Sequence, residues 1–347
     1  ELLRPSPSLS LLRSEEVTIF ERFSLVLSLT YRRYLDLQKA EELTREAKIE
    51  AALERARTQS MLMQHSDELY KTSEVFHEQM HLLGIESEFS YSWLPDEKNA
   101  KHLFWATWQE GKKKSFRYKN NQVTYPLDKT KPDIAACYVA WESGVSVHVN
   151  PVKPKDVKAY FNSWPELLNG VEKFKPSLFP DGLYYVDAYM KYGCFGVMIR
   201  TLLSEEQKQV LHRFSKEFER AYTRFLDLQK AEEQAREAQI EAALERVRAA
   251  SMAMHASDDL KDVVRVIFDQ LGSLDINAEH AGIVVDYKPK SDWHFWIAET
   301  QDIPAKVSVP YLDIVWDRQF TKAKKNDQEF FTHLVTFKQK NSFYAKL

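Results

Sequence analysis

Residues 31–63 read YRRYLDLQKAEELTREAKIEAALERARTQSMLM, and residues 222–254 read YTRFLDLQKAEEQAREAQIEAALERVRAASMAM. The two stretches align without a gap at an offset of 191 residues, and 24 of their 33 positions are identical. A period this long exceeds that of solenoid repeats, whose units cannot fold alone. The sequence therefore predicts a tandem array whose units, about 190 residues apart, are domains in their own right.

The same offset continues on both sides of the repeated stretch. Ser66-Asp67 corresponds to Ser257-Asp258, and Phe104-Trp105 corresponds to Phe295-Trp296. Because the chain begins with Glu1 rather than Met, we expect it to be part of a longer protein. The predicted organisation is the last strand and helix of a preceding unit (1–30), a helical connector (31–65), a complete domain (66–221), a second connector (222–255) and an incomplete second domain (256–347).

Composition excludes several classes of protein. With 44% hydrophobic and 29% charged residues, the 347-residue chain has enough apolar surface for domain cores. A net charge of -3 provides no general basic field for nucleic acid, so no direct nucleic-acid binding is expected. Two cysteines cannot form a disulfide framework, which favours a reducing, cytoplasmic location. No apolar run approaches the ~20 residues of a membrane span.

Hydrophobic periodicity separates a helical part from a sheet part. Residues 14–64 contain neither Gly nor Pro, and their aromatic and aliphatic residues recur every three or four positions. A second helix is predicted over 67–83, before Gly84. Beyond Gly84 the period falls to two, which predicts strands over 89–94, 103–108, 116–125, 145–149, 183–190 and 194–202, with short helices over 133–143 and 154–161. A new helix begins at Ser204.

This order resembles the GAF family of small-molecule sensor domains. The resemblance is carried by the helix 67–83, the paired strands 89–108, the strand Cys194-Phe-Gly-Val-Met-Ile, and Leu203-Ser-Glu-Glu-Gln at the start of the exit helix. It implies an α+β fold class, with GAF-like antiparallel sheets flanked by helices and joined by long coiled-coil-type helices. The connector is similar to linkers of multidomain bacterial signalling proteins, including two-component systems. In these proteins such units precede a kinase, cyclase or DNA-binding output domain in the same chain.

The resemblance names no ligand. The sequence lacks an Asn-Lys-Phe-Asp-Glu segment of the kind found in cyclic-nucleotide-binding members, and no cysteine lies next to a histidine as bilin attachment would suggest. No cofactor is evident, and the resemblance leaves open whether such units bind an unknown small molecule, bind a partner or only dimerise. The pocket candidates are the aromatic residues Trp93, Trp105, Trp108, Tyr185 and Tyr189, for which a place in the sheet core is the alternative. Cys137 and Cys194 are expected to be buried small hydrophobes.

One motif favours catalysis instead. His77-Glu78-Gln79-Met80-His81 matches H-E-x-x-H, in which two histidines one helical turn apart bind zinc and the Glu acts as a base. The repeat replaces the two histidines with Phe268 and Gly272, and no third ligand follows at a recognised spacing. We therefore predict neither a catalytic nor a metal site, and keep a zinc-dependent hydrolase as the alternative.

The long helices predict self-association. Leaving a row of aromatic residues in water costs about 1.5–3 kcal/mol for each side chain, so a partner helix is expected. We predict a parallel homodimer through the helices around 14–64 and 204–255. The interface residues are expected to be Phe20, Phe23, Leu27, Tyr31, Tyr34, Phe214, Phe218 and Phe225. A purely structural dimerisation rod, with sheets that bind no ligand, is a further alternative.

Overall fold

A computed structural model describes residues 14–112, 115–164, 166, 174–299, 305–312 and 315–345. Contacts between residues divide the chain into two compact units, Glu1–Lys230 and Ala231–Leu347. The units are called unit 1 and unit 2 below, and each is described by itself. The boundaries at residues 66, 221 and 256 remain predictions from the sequence.

Unit 1 is an α+β unit with a six-stranded antiparallel sheet flanked by helices, consistent with the expected GAF-like fold. Its elements follow the order α1 (Ser14–Leu62), α2 (Leu69–Leu82), β1 (Phe89–Asp96), β2 (Lys101–Lys112), β3 (Ser115–Pro126), α3 (Pro132–Glu142), β4 (Val147–Val152), α4 (Val157–Ser163), β5 (Leu183–Met190), β6 (Gly193–Ile199) and α5 (Glu205–Met252). The strand order is β3-β2-β1-β6-β5-β4, and every neighbouring pair is antiparallel. Helix α5 extends beyond unit 1 into the residues of unit 2.

Strand alternation gives the sheet two different faces. One face, the aromatic face, carries Phe89, Tyr91 and Trp93 of β1 and buries them in a cluster with residues of α3 and α4. The other, the helical face, carries Phe195 and Val197 of β6 and packs against residues of α1, α2 and α5. Both faces are buried, so the central strands β1, β5 and β6 are apolar along most of their length.

Helices α1 and α5 lie side by side in unit 1 and run parallel. Arg45 pairs with Glu206, Arg57 with Glu217, and Arg224 donates to the Met63 carbonyl, so contacts advance along both helices together. Burial by itself raises the pKa of the Glu217 carboxyl. Hydrogen bonds and charges from Arg57 and Arg220 have the opposite and larger effect, so the pKa is lower than its ordinary value. Glu217 is therefore an ionised anchor between the two helices.

Two residues of the predicted dimer interface lie in the core of unit 1. Phe214 and Phe218 are 0% and 1% exposed, and both contact the ring of Phe76 on α2. They are covered by the chain's own sheet and helices, so their assignment to a partner helix is wrong. Phe225 is also largely buried, beside Trp105 and Met63. The spacing of aromatic residues along a helix predicts a buried stripe but does not say what buries it.

The N-terminal half of α1 has no such cover in the described residues. Phe20, Phe23, Leu27, Tyr31 and Tyr34 are all more than half exposed. No described helix combines the length and the apolar character that crossing a bilayer requires. These five residues remain candidates for contact with a partner.

Unit 2 begins with the same elements as unit 1. Its elements are the C-terminal part of α5, α6 (Leu260–Ser273), β7 (His280–Val285), β8 (Trp293–Glu299), β9 (Ala305–Val309), α7 (Val315–Lys325) and α8 (Phe337–Tyr344). The three strands form an antiparallel sheet in the order β7-β8-β9. Helices α2 and α6 start 191 residues apart, and so do strands β1 and β7.

The register of the first strand pair is repeated, but that of the next pair is not. Phe104 lies opposite Trp93, and Phe295 lies opposite Val284, again 191 residues along the chain. On the other side of the strand, Phe104 lies opposite Val123 whereas Phe295 lies opposite Val307, so the second hairpin is shorter in unit 2. The correspondence between the units thus extends from α2 and α6 to β2 and β8.

Candidate functional site

A row of polar side chains crosses the middle of the aromatic face. Strand pairing places Tyr91 of β1 opposite Gly196 of β6, Gly196 opposite Asp187 of β5, and Asp187 opposite His148 of β4. Gly196 has no side chain, so Tyr91 and Asp187 can meet across it. Four residues that are distant in sequence therefore share one place on the sheet: Tyr91, His148, Asp187 and Cys194, called the Asp187 cluster below.

Asp187 is the centre of this cluster. Its side chain is only 3% exposed, and the Tyr91 hydroxyl donates to its Oδ1. The Cys194 thiol donates to the same oxygen at 3.3 Å, while His148 Nδ1 lies 4.0 Å from the other oxygen, Oδ2. A buried carboxylate is tolerated only with such partners. Oδ1 is thus saturated by donors, and Oδ2 faces an imidazole beyond hydrogen-bond distance.

The donors of the cluster stay protonated over a wide pH range. Burial raises the pKa of the Tyr91 phenol and of the Cys194 thiol, and the Asp187 charge raises both further. Burial also raises the pKa of the Cys137 thiol on α3, again with a contribution from Asp187. A thiol with a raised pKa is a poor nucleophile, so neither cysteine is activated for covalent chemistry.

Helices α3 and α4 cover the aromatic face with further aromatic side chains. The ring of Tyr138 on α3 lies 5.2 Å from Trp93, and the ring of Tyr160 on α4 lies 5.1 Å from Tyr185. Burial raises the pKa of Tyr160 well above its ordinary value and raises that of Tyr138 to about 12. The surroundings of the cluster are therefore rich in flat ring surfaces, with the charge of Asp133 on α3 also acting on Tyr160 and Tyr185.

The structure brings four of the five predicted pocket residues to one face. Trp93, Trp108, Tyr185 and Tyr189 belong to the buried cluster of the aromatic face. Trp105 lies in a different cluster, with Met63, Leu69 and Phe225, because odd and even positions of β2 point to opposite faces. Trp105 therefore does not line the same site. Whether the other four contact a ligand stays a prediction.

Two indole groups on the aromatic face have unused donors. Trp108 and Trp164 are 6% and 3% exposed, and neither Nε1 has a hydrogen-bond partner in the part of the chain that the structure describes. A buried N–H without an acceptor costs about 1–3 kcal/mol, so each such group needs an explanation such as water or a ligand. The two indoles lie at different places on this face, Trp164 beside Phe104 and Trp108 beside Phe174.

The histidines of the H-E-x-x-H motif are held by serines. His77 is fully buried, and its Nδ1 lies 3.1 Å from the Ser90 hydroxyl. His81 Nε2 lies 3.2 Å from the Ser87 hydroxyl and accepts from the Ser87 amide. Across the described ranges, no group of three or more His, Cys, Asp or Glu side chains is arranged to hold a metal ion. His77 thus joins α2 to β1, and His81 joins it to the segment that precedes β1.

A groove of about 440 Å³ lies beside the edge strand β4, away from the Asp187 cluster. It is lined by Val147 and Val149 of β4 and by Lys208, His212 and Arg213 of α5. Its two cations are already paired, Lys208 with a glutamate of its own helix and Arg213 with two glutamates of α1. The groove contains none of the residues that the sequence singles out for a ligand.

Asp187, Tyr91 and His148 are site residues that the sequence pattern did not single out. One signal was available, because Asp187 is the only acid in the strand Leu183–Met190 and shares its strand parity with Tyr185 and Tyr189. An acidic residue at a core-facing position is rarely buried without a partner, so buried partners are expected for it. Its partners were not evident, since they come from three other strands.

Comparisons with known proteins do not establish a family. No family model matches the chain, and no curated protein matches it. Among solved structures, the chain is similar to a bacteriophytochrome from the photosynthetic bacterium R. palustris, at 8% sequence identity and a TM-score of 0.37. The match covers 82% of this chain and 54% of that one, so the chain spans about half the length of the matched protein.

Proposed function

We propose that this chain is a non-catalytic sensory and transmitting region of a bacterial signal-transduction protein. Unit 1 recognises a small molecule on its aromatic face, at the Asp187 cluster. The paired helices α1 and α5 then pass a change in packing to an output domain. The resemblance of the sequence to GAF domains leads to this expectation. The observation that supports it most directly is that alternate residues of β5 and β6 face the Asp187 cluster and the helices.

Strands β5 and β6 face the cluster and the helices at alternate positions. Asp187 and Cys194 point to the aromatic face, while their neighbours Val186 and Phe195 are buried on the helical face with residues of α1 and α5. The Phe195 ring stacks on Phe218 of α5 at 4.9 Å. Close-packed interiors transmit displacements because they contain few voids. A ligand that shifts β6 therefore changes the surface on which α5 rests.

The chemistry of the site favours a particular class of small molecule. The carboxylate of Asp187 accepts hydrogen bonds or a positive charge, and the rings of Tyr185 and Tyr160 lie on the same face. Aromatic rings near the carboxylate favour flat or cationic groups through stacking and cation–π contacts. We expect an aromatic or cationic compound with at least one hydrogen-bond donor for Asp187.

Native mass spectrometry of the purified chain tests the ligand part of the proposal. We expect a bound small molecule whose mass is lost from Asp187→Asn, because the substituted amide lacks the charge that holds it. Val139→Ser, at an exposed position of α3, serves as the matched control and should keep the molecule. A wild-type chain that is free of bound molecules and is not shifted in thermal stability by any compound of a metabolite library would contradict ligand recognition.

Hydrogen–deuterium exchange tests the relay separately. Tyr91→Phe removes the hydroxyl that donates to Asp187, and we expect faster exchange in β5, in β6 and in the part of α5 that contacts them. Tyr70→Phe, at an exposed position on α2, is the control and should leave these segments unchanged. Faster exchange confined to β1 would show that the cluster is not coupled to the helices.

A further inference from the structure

Unit 1 exposes a helical stripe that has a buried counterpart in the same chain. The stripe consists of Phe20, Phe23, Leu27 and Tyr34 on α1, which are 69%, 71%, 69% and 52% exposed and are called the α1 stripe below. Adding 191 to each number leads to Leu211, Phe214, Phe218 and Phe225 of α5, which are 0%, 0%, 1% and 9% exposed. The same type of stripe is thus covered on α5 and open on α1.

In unit 1, the residues that cover the α5 stripe come from α1, from α2 and from the segment that follows α2. Leu53, Phe76, Met80 and Ile85 belong to the same buried cluster as Phe214 and Phe218, and each is at most 3% exposed. This cover includes a helix pair in which Arg55 of α1 donates to Gln79 of α2. A second helix pair of this kind, if no other helix packs on it, would expose a similar apolar surface.

Unit 2 presents that surface. Its α5 and α6 are joined by the equivalent hydrogen bond, from Arg246 to Gln270. Counterparts of the covering residues are open to solvent, with Leu244 43% and Ile276 48% exposed. Ile267 and Leu271, which correspond to Phe76 and Met80, are only partly buried. Leu244, Ile267, Leu271 and Ile276 are called the unit 2 acceptor surface below.

The charges at the two surfaces also correspond. In unit 1, Arg213 of the covered helix pairs with Glu46 and Glu50 of α1. At the offset of 191, Arg213 corresponds to Arg22 beside the α1 stripe, and the two glutamates correspond to Glu237 and Glu241 beside the acceptor surface. Arg248 lies 3.7 Å from Glu241, and a helix that carries the α1 stripe would add a second cation, Arg22, beside Glu237 and Glu241.

We propose that the α1 stripe of one copy docks on the unit 2 acceptor surface of a second copy of this chain, with Arg22 opposite Glu237 and Glu241. The docked helix takes the place that α5 occupies in unit 1, so both open surfaces are covered by the same kind of contact. The interface joins different patches of the two copies, which makes it heterologous, and repeated contacts give a closed ring or a longer chain of copies. A parallel pair of α1 stripes would instead leave the acceptor surface exposed. The proposal does not depend on ligand binding by unit 1.

Complementation between two variants tests the proposal. The stripe variant carries Phe23→Ser and Leu27→Ser, and the acceptor variant carries Leu244→Ser and Ile276→Ser. By sedimentation velocity over a range of concentrations, wild type should associate, and each variant alone should associate about tenfold more weakly or worse. An equimolar mixture should form a 1:1 pair, because the intact stripe of the acceptor variant meets the intact acceptor surface of the stripe variant. Val139→Ser is the control and should associate like wild type.

Three results would overturn the proposal: a monomeric wild-type chain, an acceptor variant that associates like wild type, or two weakened variants that do not pair when mixed. The second result would indicate pairing of α1 stripes with each other. Circular dichroism checks that each variant keeps its helix content. If a serine variant does not fold, charge reversal replaces it: Arg22→Glu and Glu237→Arg should each weaken association, and the double variant should regain it.

Discussion

Gly196 lies between Tyr91 and Asp187 in the central strands of unit 1, and the Tyr91 side chain crosses over it. A Cβ atom added at residue 196 would lie 2.6 Å from Cζ of Tyr91 and 2.8 Å from the carbonyl oxygen of Val186. Neither contact is tolerated without movement, and the backbone oxygen belongs to a fully paired strand. The bond between Tyr91 and Asp187 therefore depends on the absence of a side chain at this position.

We expect Gly196→Ala to lower the free energy of unfolding by about 1–3 kcal/mol, which is the usual cost of forcing an extra methyl group into a packed core. Urea denaturation measures the change. The control is Gly272→Ala on α6, where nothing lies within 4 Å of the added Cβ and alanine favours the helix by up to about 1 kcal/mol. Equal stability of Gly196→Ala and wild type would mean that Tyr91 does not pass over residue 196.

His102 makes stability depend on pH. It is 1% exposed, and its Nδ1 accepts a hydrogen bond from Nε1 of Trp93 at 3.0 Å. Burial, assisted by the charge of Lys131, lowers the pKa of His102 from 6.5 to about 4. Between these values the unfolded chain binds a proton that the folded chain does not, so this contribution is complete above 6.5 and is lost as pH falls toward 4.

We expect the free energy of unfolding to fall by up to about 3 kcal/mol over that range because of His102, at 1.36 kcal/mol for each pKa unit. Urea denaturation at several pH values measures it. His102→Gln keeps an acceptor for Trp93 but does not titrate there, so its stability should change less with pH. Identical pH profiles for the variant and wild type would contradict the role of this histidine.

At the scale of elements, the apolar stripes of α1 and α5 differ in their exposure to solvent. Phe214 is surrounded within its own unit, whereas Phe23 at the corresponding position of α1 is 71% exposed. Replacing a buried phenylalanine with alanine removes its transfer energy and leaves a cavity, while the same change on an exposed helix removes little.

We expect Phe214→Ala to lower the free energy of unfolding by about 3–5 kcal/mol, and to do so equally at low and high protein concentration. Phe23→Ala should change the stability of a dilute sample by less than about 0.5 kcal/mol and act on association instead. Chemical denaturation at two protein concentrations separates the two effects. If the destabilisation by Phe214→Ala disappeared at high protein concentration, the result would indicate that Phe214 contacts a second copy of the chain.

At the scale of the whole chain, the two units differ in how much they bury. Unit 1 encloses aromatic residues on both faces of a six-stranded sheet. The described cluster of unit 2 has only Val264, Trp296 and Ala298 as buried members, beneath a three-stranded sheet. Because hydrophobic burial is the main favourable term in folding, unit 2 has less to hold it together.

We therefore expect the amides of β7, β8 and β9 to exchange with deuterium faster than those of β1, β5 and β6, under conditions that favour the monomer. Exchange should also slow in α6 at concentrations where copies associate, since its acceptor residues become covered. Hydrogen–deuterium exchange with mass spectrometry measures both effects. Equal protection of the two sheets in dilute samples would contradict the difference in burial.

Much of the secondary structure follows from local patterns. The break at Gly84, the strands with period two and the helix after Ser204 agree with α2, with β1 to β6 and with α5, because alternation and capping are properties of neighbouring residues. The offset of 191 likewise follows from the residues alone, and it aligns α2 with α6 and β1 with β7. For the candidate site, the sequence indicated aromatic residues but not their common face or their polar centre.

The sequence by itself determined the offset of 191 residues, the order of most helices and strands of unit 1, and the apolar stripes along them. Only the tertiary structure decided which surface buries each position: Phe214 turned out to face its own sheet, and Trp105 the side opposite Trp93. It also assembled the Asp187 cluster from four strands. The physical reason is that a hydrophobic pattern sets which residues leave water, whereas the partner of each one depends on strand register and helix packing between distant segments.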